Sequence, residues 1–175
     1  MLELLLILIA IYLFVYITRK IAQKNGEVGE NIVSNELSKL SGEYFVYNDV
    51  KMCGYQIDHI VVHHMSKSVF VIETKMWGGK IVGNYRDKKW IQYKDGNVKF
   101  LNNPMIQNSK HCNVVRQKYK GYSIYNVVVF VGNRNIPKYK SVINEDNLIN
   151  YISNKVSNRG KIDMQSDWKD LIGKI

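Results

Sequence analysis

The stretch Gln56–Lys75, with the sequence QIDHIVVHHMSKSVFVIETK, contains two apolar runs separated by a short polar connection. The runs Ile57–His63 and Ser68–Lys75 are rich in β-branched residues, which favour strands. Met65–Lys67 lies between them and has the length and polarity of a turn. The stretch therefore predicts a buried antiparallel hairpin at the centre of the fold.

Three charged residues lie in this hairpin: Asp58 opens the first strand, and Glu73 and Lys75 close the second. If Met65 pairs with Ser68, Asp58 lies opposite Lys75, with Glu73 on the diagonal. Any register that differs from this one by an even number of residues keeps the three side chains on one face. Buried charges are costly unless they pair or bind something, so the cluster is either an ion-pair network or a functional site. Paired carboxylates are suitable ligands for a hard cation such as Mg²⁺.

Several short motifs follow in order along the chain. They are Gly26-x-x-Gly29-Glu30, Gln56-Ile57-Asp58-His59, Val71-Ile72-Glu73-Thr74-Lys75, Trp90 and Asn103-Pro104-x-x-Gln107. Asp58 followed by Glu73-Thr74-Lys75 resembles the D…(D/E)xK signature of the restriction-endonuclease-like PD-(D/E)xK nuclease superfamily. The whole set, over approximately residues 26–117, is similar to the nuclease-related domain (NERD) family.

This resemblance implies an α/β fold with a restriction-endonuclease-like core, in which helices flank a central mixed sheet. It implies metal-dependent hydrolysis of phosphodiester bonds in nucleic acid, with DNA as the expected substrate. The implied catalytic residues are Asp58, Glu73, Lys75, Gln107 and Glu30. The implied ligands of Mg²⁺ or Mn²⁺ are Asp58, Glu73, the backbone carbonyl of Thr74, and Glu30. Lys75 would orient or deprotonate the attacking water, and Gln107 would orient a phosphate or that water.

The helix predicted at Gly26–Leu40 offers two candidates for an acid that faces this site, Glu30 and Glu36. Its apolar side predicts Glu36 as the acid nearer the core, with Glu30 at the edge of the apolar stripe. The family resemblance instead favours Glu30, which stands in the Gly-Glu pair. A surface Glu30 stabilised by the helix dipole is the simpler alternative.

Length and charge limit the class of protein. The 175 residues suffice for one globular domain with additions, and the formal net charge is +10. All 25 Lys and Arg residues follow residue 18, an excess that suits nucleic acid or an anionic membrane surface. Cys53 and Cys112 lack the spacing of a zinc site, which predicts two reduced thiols.

The N-terminal segment predicts a membrane anchor. Leu4–Ile17 is uniformly apolar, and with its flanks it reaches about 18 residues, or ~27 Å as a helix. Arg19, Lys20 and Lys24 follow the run, whereas a signal peptide carries its positive charge before it. We therefore expect a single-pass membrane protein with its N-terminus outside and its domain in the cytoplasm. A buried core helix is the alternative.

The predicted domain organisation is a transmembrane helix at 1–18, a linker at 19–25, a nuclease core at 26–121 and its α/β completion at 122–175. Three short strands are predicted between the motifs, at Lys80–Tyr85, Lys88–Tyr93 and Asn97–Leu101. Their aromatic residues (Tyr85, Trp90, Tyr93 and Phe100) alternate with basic ones, a composition that can stack bases and neutralise phosphates. A meander with exposed lysines is the alternative.

The next helix is predicted to begin after the Asn103 cap, with Pro104 in its first turn, and to end near Lys120. Gln107 and His111 share one face of it, and His111 is predicted to be structural rather than catalytic. Later elements are a strand at Tyr125–Val131, a short strand at Ser141–Ile143, a helix at Glu145–Val156 and a weak helix at Asp163–Ile175.

Two other functions fit the same pattern. One is a non-catalytic nucleic-acid-binding domain, in which the fold survives without the chemistry. The other is a membrane-surface interaction module, in which the basic face lies on anionic lipid and the acids are structural.

Overall fold

The computed structural model describes residues 2–159, which form two sheets and three α-helices. The first and longest element is a single helix that contains the predicted membrane span. In chain order the elements are α1 (Leu2–Leu37), β1 (Tyr44–Met52), β2 (Tyr55–His63), β3 (Ser68–Lys75), β4 (Lys80–Val82), β5 (Lys89–Lys94), β6 (Asn97–Asn102), α2 (Pro104–Lys118), β7 (Ser123–Phe130), β8 (Val142–Asn144) and α3 (residues 148–159).

The helix α1 corrects the predicted linker at residues 19–25. These residues are helical and join the apolar segment directly to the helix of the domain, which ends at Leu37. Residues 19–25 include helix formers such as Lys20, Ala22 and Gln23 and contain no Gly or Pro, which explains the continuity. The helix is long and apolar enough to span a membrane, and its apolar window is fully exposed. The predicted helix at Asp163–Ile175 lies outside the described residues.

The main sheet has five strands in the order β1-β2-β3-β7-β8. Strands β1, β2 and β3 are antiparallel neighbours, whereas β3, β7 and β8 run parallel. The central strand β3 is the most completely buried one, as expected for a strand that is covered on both faces. The predicted central mixed sheet flanked by helices is confirmed.

Helices cover both faces of this sheet. On one face, α1 and α3 pack through Val33, Leu37, Leu148 and Ile152 against buried side chains of β2, β3 and β7. On the other face, α2 packs mainly through Cys112 and Val115. Because successive side chains of β3 point to opposite faces of the sheet, each one packs against the helices that cover its own face.

The hairpin pairs in a different register from the one considered above. His63 lies opposite Ser68, so the pairing is displaced by two residues from the one in which Met65 faces Ser68. A four-residue turn replaces the tighter one, with Lys67 in the left-handed region at φ 46°. Because the displacement is even, Asp58, Glu73 and Lys75 still lie on one face, the face that α2 covers.

The strands β4, β5 and β6 form a separate antiparallel sheet. Ile81 and Trp90 on its inner face pack against Met105 of α2 and against the ends of β7 and β8. Trp90 is fully buried and stacks on Phe130, so the structure corrects its inclusion among the aromatic residues that could stack bases. Tyr85, Tyr93 and Phe100 are exposed.

Asn103 fastens this small sheet to α2. Its Oδ1 accepts the Met105 N–H at 2.9 Å, the predicted helix cap. Its Nδ2 lies within hydrogen-bond distance of the carbonyl oxygens of Asn84, Tyr85 and Asp87. One buried amide thus satisfies both the start of the helix and the turn that leads into β5.

Asn103→Ala is expected to lower the free energy of unfolding by about 2–4 kcal/mol, because it removes a helix cap and leaves buried carbonyl oxygens unpaired. Denaturant unfolding of the full chain in detergent measures this change. Asn102→Ala is the matched control: its exposed side chain bonds only Lys89, so we expect a loss below about 1 kcal/mol. Equal losses in the two variants would contradict the assigned role.

Candidate active site

The strands β2 and β3 separate at the end that carries the motif residues. Their ladder ends at the His59–Ile72 pair. Because the Lys75 carbonyl bonds Val131 on the β7 side, alternation directs the N–H and carbonyl of Thr74 toward β2. The Asp58 carboxylate takes the place of the missing ladder partner, and its Oδ2 accepts the Thr74 N–H at 2.7 Å. Asp58 is thus fixed against the peptide group between Glu73 and Thr74.

Glu73 is the most deeply buried acid of the motif, with 2% of the residue exposed. Its Oε1 accepts hydrogen bonds from Lys75 Nζ at 2.5 Å and from Gln107 Nε2 at 2.7 Å. Its Oε2 has no hydrogen-bond partner. A buried carboxylate with one oxygen satisfied by two donors and the other left over is an unusual arrangement for a purely structural residue.

Burial raises the pKa of both motif carboxyls, because it disfavours their charged forms. The Thr74 N–H and the Lys75 ammonium oppose this effect at Asp58, and Lys75 opposes it at Glu73. Burial therefore disfavours the charged form of each of these two carboxyls, and the Lys75 ammonium offsets part of this effect. Lys75 Nζ also lies 5.6 Å from the centre of the Trp77 ring, a cation–π contact that limits its positions.

Glu30, rather than Glu36, lies beside these residues. It lines the same cavity as Asp58, Glu73 and Lys75, and burial together with the charge of Asp58 raises its pKa. Glu36 instead forms an ion pair with Lys39 at 2.6 Å. Of the two acids that the sequence left open, Glu30 is therefore the one that lines this cavity.

Gly29 allows α1 to approach this end of β3. A Cβ atom built on Gly29 would lie 3.3 Å from Met76 Cβ and 3.4 Å from Thr74 Cγ2. The backbone of α1 therefore packs directly on the two residues that flank Lys75. This close approach carries Glu30, the next residue, to the edge of the cavity.

The sequence reasoning missed two residues near the site. Asp49 of β1, with φ 50°, has a charge that raises the pKa of Asp58 and Glu30, but an acid in an exposed strand carries no motif signal. His111 was predicted to be structural, yet its Nδ1 lies 3.4 Å from Glu73 Oε2, without hydrogen-bond geometry. Its spacing of four residues from Gln107 was the available signal.

The motif residues open into a cavity of about 650 Å³. Ala22, Asn25 and Gly26 of α1 form one wall, and Gln92, Lys99 and Leu101 of the small sheet form another. Lys99 is exposed, which brings a second cation to the cavity that contains Lys75. The cavity can therefore accept an anionic group from solvent.

The donor set fits a divalent cation. The unpartnered Oε2 of Glu73, the Asp58 carboxylate and the Thr74 carbonyl are oxygen ligands of the kind that Mg²⁺ and Mn²⁺ prefer. Within residues 2–159, no group of three or more His, Cys, Asp or Glu side chains is close enough to form a metal cluster by itself. A site here would accordingly depend on the backbone carbonyl and on water or substrate oxygens.

Comparison with known proteins gives two results. An uncharacterized protein of Bacillus anthracis is 34% identical over 119 residues, which cover 65% of this chain and 55% of that protein. The chain thus spans about half the length of the curated relative that it matches. No solved structure matches this chain.

The family model of the nuclease-related domain matches residues 25–131. This range extends from the last turns of α1 through the hairpin, the small sheet and α2 to the end of β7, and it contains all five candidate site residues. It covers more than half of the chain. The chain belongs to the nuclease-related domain (NERD) family, within the restriction-endonuclease-like nuclease superfamily.

Proposed function

We propose that the protein is a membrane-anchored, metal-dependent nuclease that hydrolyses phosphodiester bonds, with DNA as its substrate. The observation that carries this proposal is the convergence of Asp58, Glu73 and Lys75 at the open end of the β2–β3 pair. An ion-pair network would satisfy its charges, whereas Glu73 Oε2 accepts no hydrogen bond, and His111 Nδ1 at 3.4 Å lacks the geometry to donate one. The site therefore retains capacity for a ligand.

Asp58, Glu73 and the Thr74 carbonyl would hold Mg²⁺ or Mn²⁺, with Glu30 at the edge of the cavity as a further ligand. When bound, the cation would polarise the phosphate and stabilise charge on the departing oxygen. Asp58 is oriented by the Thr74 N–H, so one of its oxygens is fixed and the other is left for a ligand.

Lys75 is the candidate for positioning the attacking water or removing its proton. Its ammonium is held between the Glu73 carboxylate and the face of Trp77. Gln107 donates to the same Glu73 oxygen, so a rotation of either donor frees an N–H for a phosphate oxygen. Lys99 on the opposite wall adds positive charge that attracts the substrate backbone.

The apolar part of α1 supports membrane anchoring. Its residues pack against no other part of residues 2–159, and basic residues follow it directly. The positive-inside rule then places the N-terminus outside and the nuclease domain in the cytoplasm, as a single-pass protein. Flotation of the full chain with liposomes tests the anchor separately from the chemistry.

Asp58→Asn and Lys75→Met are expected to lower nicking of supercoiled plasmid by at least about 100-fold, since each removes a group assigned to metal binding or proton transfer. The full chain is assayed in detergent with Mg²⁺, with Mn²⁺ and with EDTA. EDTA is expected to abolish nicking by the wild type.

Glu36→Gln is the matched control for these variants, because Glu36 lies on α1 like Glu30 but pairs with Lys39 outside the cavity. It is expected to nick like the wild type. Absence of metal-dependent nicking in a folded wild type, with retained binding to DNA, would favour a non-catalytic binding domain. Salt-sensitive binding to anionic liposomes without affinity for DNA would favour a membrane-surface module.

The contribution of Glu73 to the stability of the metal-free protein is expected to fall as pH rises from 5 to 8, whereas buried His59, whose pKa burial lowers to about 4, contributes the opposite trend. Burial raises the pKa of Glu73 to about 7, so the folded state binds a proton that the unfolded state has released. The stabilisation from this proton is complete below the ordinary pKa of 4.5 and is lost as pH rises through 7. Glu73→Gln is expected to reduce this fall by about 1–3 kcal/mol.

Denaturant unfolding of the full chain in EDTA at pH 5 and pH 8 measures the effect. Glu36→Gln again serves as the control and should leave the pH dependence unchanged. If the free energy of unfolding changed by the same amount between pH 5 and pH 8 in the wild type and in Glu73→Gln, that result would contradict the burial of an uncompensated Glu73 carboxylate.

A further inference from the structure

A chain of hydrogen bonds, which begins at the exposed Asn48 and becomes buried at His59, crosses three neighbouring strands and ends at Thr74. In β1, Asn48 lies directly opposite His59 of β2, and its Oδ1 is 2.9 Å from His59 Nδ1. On the other side of the imidazole, His59 Nε2 is 3.2 Å from Thr74 Oγ1 in β3. His59 is 1% exposed and its bond to Thr74 is buried, so water does not compete for that bond.

The direction of each of these hydrogen bonds follows from which atoms are able to donate. The Asn48 oxygen can only accept, so the neutral His59 ring donates from Nδ1. The Nε2 atom of the same ring must then accept, and the Thr74 hydroxyl donates to it. Every hydrogen-bonding atom of the His59 ring is therefore used, and its orientation is fixed from both sides.

Thr74 is held on its other side as well. Its Cγ2 faces Gly29 of α1, where a Cβ atom would come within 3.4 Å. Its N–H donates to Asp58 Oδ2. The Thr74 side chain is thus clamped between β2 and α1, while its peptide groups face the gap where the β2–β3 ladder has ended.

We propose that His59, supported by Asn48, is a positioning residue for the metal site, because it fixes the Thr74 side chain and thereby the direction of the Thr74 carbonyl and N–H. The inference rests on the proposed function, since that carbonyl is one of the assigned ligands. At Thr74, β3 still pairs with β7 but no longer with β2, so only one neighbouring strand fixes this backbone. The hydrogen bond to His59 supplies the missing constraint, in the way that outer-shell partners orient metal ligands.

His63 provides a matched comparison within the same strand. It lies four residues after His59 on the same face of β2, is also buried, and also uses both ring nitrogens, toward Ser66 and Glu43. These partners lie at the hairpin end of β2, away from Thr74. A purely structural role for His59 therefore predicts that the two histidines behave alike.

The experiment measures Mn²⁺ affinity by electron paramagnetic resonance in the full chain in detergent, together with kcat and KM for plasmid nicking. His59→Leu and Thr74→Val each break the bond between the imidazole and the hydroxyl. Both are expected to weaken Mn²⁺ binding by about tenfold or more and to lower kcat, with KM for DNA little changed. Thr74→Ser keeps the hydroxyl and is expected to keep most of the affinity.

His63→Leu is expected to lower the unfolding midpoint as His59→Leu does, but to leave Mn²⁺ affinity at the wild-type value. Thr74→Val preserves the shape of the side chain, so it remains informative if His59→Leu does not fold. Wild-type Mn²⁺ affinity in Thr74→Val, or an equal loss in Thr74→Val and Thr74→Ser, would overturn the positioning role alone. Absence of Mn²⁺ binding by the wild type would overturn both this role and the proposed metal site.

Discussion

The hydrogen bond from the Thr74 N–H to Asp58 Oδ2 is the interaction on which the candidate site depends. It forms where β2 and β3 stop pairing, so a side chain replaces a backbone acceptor at the centre of the sheet. This exchange turns the end of a buried hairpin into an open edge lined by carboxylate and carbonyl oxygens. The remaining strands and helices support that edge: α2 delivers Gln107, and α1 delivers Glu30.

The site lowers the stability of the folded protein. Glu73 is buried with one unpartnered oxygen, and burial raises the pKa of Glu73, Asp58 and Glu30. One ammonium, that of Lys75, makes the close ion pair with Glu73. Such an arrangement is retained more readily for binding than for stability, because replacing a buried charged cluster by apolar residues is often stabilising. Membership in a nuclease-related family agrees with that view.

Much of the fold could be predicted from local signals. The β-branched runs of the hairpin and the Asn103 cap gave correct elements, because those patterns act within a few residues. The hairpin register was not determined, since two turns of different length fit the same alternation, and only its parity mattered for the site. Helical periodicity favoured Glu36 because it reports the core face of α1, whereas the cavity lies at the end of β3, beyond that face. Asp49 acts through a tertiary contact that no spacing along the chain reveals, and the spacing of His111 from Gln107 does not by itself show that His111 lies beside Glu73.

The continuity of α1 joins the proposed anchor to the cavity wall, so the domain is not tethered by a flexible segment. The open edge beside Asp58 is tested most directly by anomalous diffraction from crystals of the full chain grown with Mn²⁺. We expect a peak in contact with Asp58, Glu73 and the Thr74 carbonyl. A fully occupied Mn²⁺ elsewhere, with these three groups bound only to protein and water, would contradict this expectation.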